Sequence, residues 1–176
     1  MNKPIFLVGF MGSGKTTWGK KIANALELPF VDLDQEIVQH IGMTIPEYFR
    51  QYGEDSFRKL ENEYLKKQAG RIAVISTGGG TPCYFDNMEW INQHGISLYL
   101  YHTPKSLWAR LSQSDVNKRP VLKGLTGDEL YAFIESKLNE RAQYYEQAHI
   151  KFEQIHTSLE EIISLINNYI AKYENS

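Results

Sequence analysis

The sequence predicts an α/β fold: a three-layer, doubly wound, five-stranded parallel sheet with helices on both faces. Three observations carry this expectation. Short apolar runs recur at 5–8, 30–32, 73–76, 97–101 and, more weakly, 150–152. Longer stretches of helical period separate them, and helix start and stop signals fall within those stretches. Strands covered on both faces read as continuous apolar runs, which is the pattern of a parallel sheet between helices.

Each element has a local reason. The first run passes into a glycine-rich loop and then a helical stretch. The second ends in Asp32-Leu33-Asp34, where Asp32-x-x-Gln35 is a pattern that can cap the next helix. Thr44-x-x-Glu47 and Thr126-x-x-Glu129 read as capping boxes, and Gly95 after Trp90-Ile91 reads as a C-terminal stop. From Thr126 to Ala148, Leu130, Ile134, Leu138 and Tyr145 form an inward stripe at spacings of three and four, and Arg141 falls on it. The stretch 112–125, SQSDVNKRPVLKGL, has no sustained period and holds Pro120 and Gly124, so it reads as either a functional lid or a surface loop.

At 176 residues the chain suits one domain spanning 1–176. Nineteen Lys and Arg against 21 Asp and Glu leave no basic field for nucleic acid, so acidic small molecules must be held by a few placed cations. No apolar run reaches the roughly 18 residues of a membrane span, and Met1-Asn2-Lys3-Pro4 lacks signal-peptide character. The expectation is a cytoplasmic protein with no membrane partner. Cys83 is the single cysteine and reads as a packed small hydrophobe. The five histidines do not approach metal-ligand spacings, and with no heptad seam the expected state is a monomer.

Gly9-Phe10-Met11-Gly12-Ser13-Gly14-Lys15-Thr16 satisfies G-x-x-x-x-G-K-[ST] between a strand and a helix. Such a loop curls so that successive N–H groups face phosphate oxygens at the positive end of the helix. Lys15 is expected to reach the β- and γ-phosphates of ATP, and the Thr16 hydroxyl to ligate Mg²⁺. The motif alone does not separate a kinase from other nucleotide-binding proteins.

Other groups narrow the chemistry. Asp32 can cap a helix or join the metal shell through water, since the strand at 73–76 ends without an aspartate. Asp34 is then free to orient an acceptor hydroxyl and take its proton. Thr77-Gly78-Gly79-Gly80-Thr81-Pro82 reads as a tight turn or as backbone that a ligand approaches closely. Arg141, facing inward, needs an anion: a protein carboxylate such as Asp34, or a substrate carboxylate. Arg58 and Glu61 are spaced to pair, either on the surface or to aim the guanidinium at a bound carboxylate. Arg119, before Pro120, is free to swing over a phosphate.

Together, GFMGSGKTT at 9–17, DLD at 32–34, IPEYFRQYGEDSFRKLE at 45–61, STGGGTP at 76–82 and KRPVL at 118–122 resemble shikimate kinase, a nucleoside monophosphate kinase-like P-loop family. The resemblance runs from Ile5 to about Ala148. It implies transfer of the γ-phosphate of ATP to the 3-hydroxyl of shikimate, with an acceptor-binding segment near 33–61 and a lid near 112–125. It implies that Gly12, Ser13, Gly14, Lys15, Thr16, Thr17, Arg110 and Arg119 hold ATP. Asp34, Arg58, Gly79, Gly80 and Arg141 would bind shikimate, the two arginines taking its carboxylate, and Mg²⁺ would sit at Thr16 and, through water, Asp32. Lys15, Asp34 and Arg119 would be catalytic. The chain departs from the family's R-x-P-x-Y pattern at Gln143 and matches poorly after Ile150. Two rivals remain at this stage: a kinase for another polyol acid such as gluconate, and a noncatalytic nucleotide-binding relative.

Overall fold

The structure, a computed structural model, describes residues 2–113, 122 and 124–173. Five strands form one parallel sheet: β1 (Ile5–Val8), β2 (Phe30–Asp32), β3 (Val74–Ser76), β4 (Ile96–Tyr101) and β5 (Ile150–Glu153), in spatial order β2-β3-β1-β4-β5. In register, Leu7 of β1 lies opposite Ser76 on one side and Leu98 on the other. The doubly wound expectation holds. β1, β3 and most of β4 are buried on both faces, which is why they read as unbroken apolar runs. β5 is an edge strand in which Ile150 and Phe152 point inward while Lys151 is exposed, and that alternation explains its weaker signal.

The pleat of β1 sends Phe6 and Val8 to one face and Ile5 and Leu7 to the other. The first face carries α2 (Leu33–Ile41), α3 (Ile45–Tyr52), α4 (Glu54–Lys66), α5 (Asn87–His94), α6 (Pro104–Ser112) and α7 (Gly127–Tyr145), with core residues Ile37, Phe57, Ile91, Leu107 and Ile134. The second carries α1 (Lys15–Ala25) and α8 (Leu159–Tyr173), through Trp18, Ile22, Ile162 and Ile166. No described helix is long and apolar enough to cross a membrane.

The capping expectations divide. Thr44 forms the full box: its side chain accepts from Glu47 N, and the Glu47 carboxylate accepts from Thr44 N at 2.8 Å. Asp32 caps α2 as its pattern implies, and Gly95 closes α5 with its N–H bonded to Ile91 O. Thr126 occupies the N-cap of α7 but makes no side-chain cap bond, so that box is not formed. Gly127, the first helical residue with φ 49°, departs from helical backbone there and breaks the spacing the box requires.

Only part of the stretch expected as a lid, 112–125, is among the described residues. Ser112 is still helical at the end of α6, and Leu122 is fully buried in the same core as Leu107, Leu111 and Leu130. Residues 114–121 and 123, including Arg119, lie outside the described residues. The reading of Cys83 holds: it is half-buried against the core, and burial pushes its thiol up to about 11.

Candidate active site

The strand order reverses across β1, and its carboxyl end opens into two adjoining cavities, the place where such sheets accept ligands. The first, about 380 Å³, is lined by Gly12, Gly14, Lys15, Thr16, Asp32 and Arg110, among others. The loop from Gly9 to Gly14 makes one wall. Gly14 is the N-cap of α1 at φ 99° and ψ 17°, a left-handed conformation in which a side chain would be strained. Lys15 is buried, and its Nζ donates to Gly9 O at 2.8 Å and Phe10 O at 3.0 Å.

Asp32 has both roles the sequence left open within reach. Its Oδ1 accepts from Gln35 N at 3.3 Å, capping α2, while its Oδ2 accepts from Thr16 Oγ1 at 2.9 Å. Because the threonine hydrogen is directed to Asp32, the lone pairs of Thr16 Oγ1 remain for a cation on the cavity side. A hydroxyl and a carboxylate, with water completing the shell, suit a hard divalent cation. Ser13 is buried beneath the loop and Thr17 is exposed on α1, so neither lines either cavity.

The second cavity, about 470 Å³, has walls of Val38, Ile45, Pro46, Phe49 and Phe57 and a polar side formed by Arg58, Glu61 and Arg141. Met11, Asp34 and Gly79 line both cavities. Asp34 sits in the first turn of α2, half-buried, at this shared wall. Burial, then the nearby Glu61 and Asp32 carboxylates, raise its pKa from 3.8 to about 7, against the opposing pull of Lys15 and Arg58.

Arg58 is not an ordinary surface pair. It donates from Nη1 to Glu61 Oε2 and from Nη2 to Glu54 Oε1, both at 2.9 Å, and the Arg58 and Glu61 side chains are only 12% and 2% exposed. Glu61 also accepts from Thr81 Oγ1 at 2.6 Å, and the Tyr84 ring lies 4.3 Å from the guanidinium. Gly78 and Gly80 explain this close packing, while Gly79 lies against the loop backbone at Met11 N. A Cβ on Gly78 would meet Glu61 and Asp34 at 2.7 and 2.8 Å, and one on Gly80 would meet Arg58 Nη1 at 2.5 Å. Gly78 and Gly80 thus give room to the site's own side chains, and all three glycines line the second cavity.

Arg141 forms no ion pair with Asp34, nor with any carboxylate among the described residues. Its guanidinium lies over the Phe10 ring at 5.4 Å and donates to Gly79 O at 3.4 Å, a carbonyl also bonded by Tyr145 OH. Helix α7 runs unbroken through Gln143 and holds Arg141 against the second cavity.

Sequence reasoning missed the apolar walls, which look like any core-facing residues, and it missed Gln154. A Cβ on Gly14 would lie 3.3 Å from both Arg110 Nη2 and Gln154 Oε1. Arg110 donates to Gly12 O at 3.0 Å, and Gln154 Oε1 is buried with no hydrogen-bond partner among the described residues. Nothing local marks a lone glutamine after an edge strand as part of a site.

A family model described as shikimate kinase matches residues 11–171. The shikimate kinase of Bacteroides fragilis is 44% identical over 177 aligned positions, covering 95% of this chain and 98% of that protein. The crystal structure of the shikimate kinase from Bacteroides thetaiotaomicron superposes with a TM-score of 0.85 at 40% identity, over 99% of each chain. That of the Acinetobacter baumannii enzyme, solved in complex with shikimate, gives 0.83 at 33% identity, over 98% of this chain and 94% of that one. The likeness thus covers sequence and fold alike, and the chain belongs to the shikimate kinase family.

Proposed function

We propose that the protein transfers the γ-phosphoryl group of ATP to the 3-hydroxyl of shikimate, with Asp34 as the group that meets the attacking oxygen. The observation that carries this reading is the position of Asp34 on the wall shared by the cavity that the glycine-rich loop lines and the one that bears Arg58 and Arg141. An acceptor in the second cavity and a triphosphate in the first would approach each other across that residue. A carboxyl group with its pKa near 7 is matched to taking a proton at neutral pH.

In this mechanism Arg58, held by Glu54 and Glu61, and Arg141, held by Phe10 and Gly79, take the acceptor carboxylate between them. Asp34 orients the hydroxyl and accepts its proton as the oxygen–phosphorus bond forms and the bond to the β-phosphate oxygen breaks. Lys15 turns from the loop carbonyls toward the β- and γ-phosphates, the loop N–H groups hold the rest, and Arg119 covers the transferred group. Thr16 would hold Mg²⁺ directly and Asp32 through water; when bound, it neutralises phosphate charge. Arg110, which lines the first cavity beside Gly14, would lie against the adenine, with Gln154 on the same side of Gly14. We read residues 1–176 as one kinase domain, monomeric and cytoplasmic, with the acceptor-binding segment at 33–61 and the lid within 112–125.

The test is ADP release from Mg-ATP with shikimate, gluconate or no acceptor, for the wild type and Asp34→Asn. Turnover with shikimate alone, lost in the variant, is expected. Turnover with gluconate instead would move the substrate assignment, and ATP binding without turnover on any acceptor would point to a noncatalytic relative.

A further inference from the structure

We infer that His102 is a positioning residue for the phosphate loop, acting through the Ser13 carbonyl to aim the Gly14 N–H into the nucleotide cavity; this rests on the nucleotide reading above. His102 follows β4 and is 2% exposed. Its Nε2 lies 2.9 Å from Ser13 O and its Nδ1 lies 3.0 Å from Ser106 Oγ. A carbonyl only accepts, so Nε2 carries the hydrogen, and Nδ1 of the neutral ring accepts from the Ser106 hydroxyl. Ser106 is fixed in the first turn of α6, where its N–H donates to Thr103 Oγ1 at 3.2 Å. Burial, with Arg110 and Lys15 adding to it, pushes the imidazole pKa below its ordinary value, against the pull of Ser13 O and Glu153, and so favours the neutral ring.

The consequence follows from peptide geometry. No described peptide bond is cis, so Ser13 C=O and Gly14 N–H point in opposite directions from one rigid plane. Drawing Ser13 O back against the imidazole therefore turns Gly14 N–H outward, toward the cavity that Gly14 lines. A hydrogen bond received at the carbonyl also polarises the same amide and makes its N–H a stronger donor to phosphate. The Ser13 side chain does not supply this anchor, because its buried Oγ has no hydrogen-bond partner among the described residues. None of the sequence motifs contains His102, which reaches the loop only through the pairing of β4 with β1.

The experiment is calorimetric titration of the full chain with ADP for the wild type, His102→Leu and His102→Gln. Leucine removes the donor, whereas glutamine offers an amide hydrogen at similar reach. We expect His102→Leu to weaken ADP binding and raise KM for ATP about tenfold, with KM for shikimate unchanged. His102→Gln is expected to recover most of that loss. Equal ADP affinity in the wild type and His102→Leu overturns the inference. So does a loss that glutamine does not recover and that shikimate binding shares, because that pattern is general damage. Should the leucine variant not fold, ¹⁵N-histidine NMR of the wild type decides: the Nε2-protonated tautomer, with coupling across the hydrogen bond to the Ser13 carbonyl carbon, is expected, and the Nδ1-protonated tautomer overturns it. A wild type that shows this coupling yet binds no ADP overturns the nucleotide reading, and the inference with it, by a route distinct from the variants.

Discussion

Asp34 carries the most specific expectations at the scale of single residues. Because its folded pKa of about 7 is raised above the ordinary 3.8, the native state holds a proton between those values that the unfolded chain has lost. Acidification through that window therefore stabilises the protein, and the penalty of the buried charge is fully present only above pH 7. Asp34→Asn is expected to be more stable than the wild type at pH 8 by about 1–2 kcal/mol, discounted for solvent screening of a half-buried group, with the difference vanishing below pH 4 in denaturant titrations. Its turnover should fall about 10²- to 10⁴-fold, and kcat/KM of the wild type should decline as pH drops below about 7. Arg58 and Gly80 test the acceptor side. Arg58→Lys keeps the charge but loses the fork shared with Glu54 and Glu61, so KM for shikimate should rise about 10- to 100-fold with KM for ATP unchanged. Gly80 has helical backbone at φ −89°, so Gly80→Ala adds no backbone strain; its Cβ would displace a guanidinium pinned on both sides and raise KM for shikimate in the same way. The roles proposed for Lys15, Asp34, Arg58 and Arg141 were legible as residue types at telling spacings. That Arg58 pairs with Glu61 was legible too, since the two are spaced three apart on one helix; that Arg141 takes no carboxylate among the described residues was not, because partners on other elements are invisible to local spacing.

Among the elements, α3 and α7 show why the same cap pattern succeeds once and fails once. Thr44 enters α3 in extended backbone with Pro46 in the first turn, and both halves of its box close. Thr44→Ala is expected to cost about 1 kcal/mol of stability by thermal or chemical denaturation, with kcat within twofold of the wild type, because the box is exposed and neither Thr44 nor Glu47 lines either cavity. At α7 the identical four-residue pattern meets Gly127 at positive φ, and the helix is held instead by burial of Leu130, Ile134, Leu138 and Tyr145. Strand positions were legible because burial on both faces enforces apolar runs, whereas helix ends depend on backbone angles that composition only suggests. Leu122 belongs to the same lesson. It stands in a polar, aperiodic stretch yet is buried in the same core as Leu107, Leu111 and Leu130, because a single leucine needs only one gap to fill and no period.

For the whole molecule, the sheet divides the protein into two cores and sets the site at the carboxyl end of β1, between the loop that precedes α1 and the helices α2 to α4. Phosphate binding and acceptor binding thus depend on different walls, and they should separate experimentally. Chelation of divalent cations is expected to abolish turnover while leaving the dissociation constant for shikimate within about twofold, since the second cavity takes none of its polar groups from Thr16 or Asp32. Loss of shikimate binding on chelation would contradict that separation. The sequence by itself determined the five strands, the phosphate loop and the family, because these rest on local periodicity and on contiguous motifs whose spacing is chemical. Only the tertiary structure decided that Asp34 stands on a wall between two cavities, that Gly78 and Gly80 give way to Glu61 and Arg58, and that His102 and Gln154 reach the phosphate loop. Each of those is a meeting of residues far apart in the chain, and the strand order that brings them together is fixed by packing across the sheet.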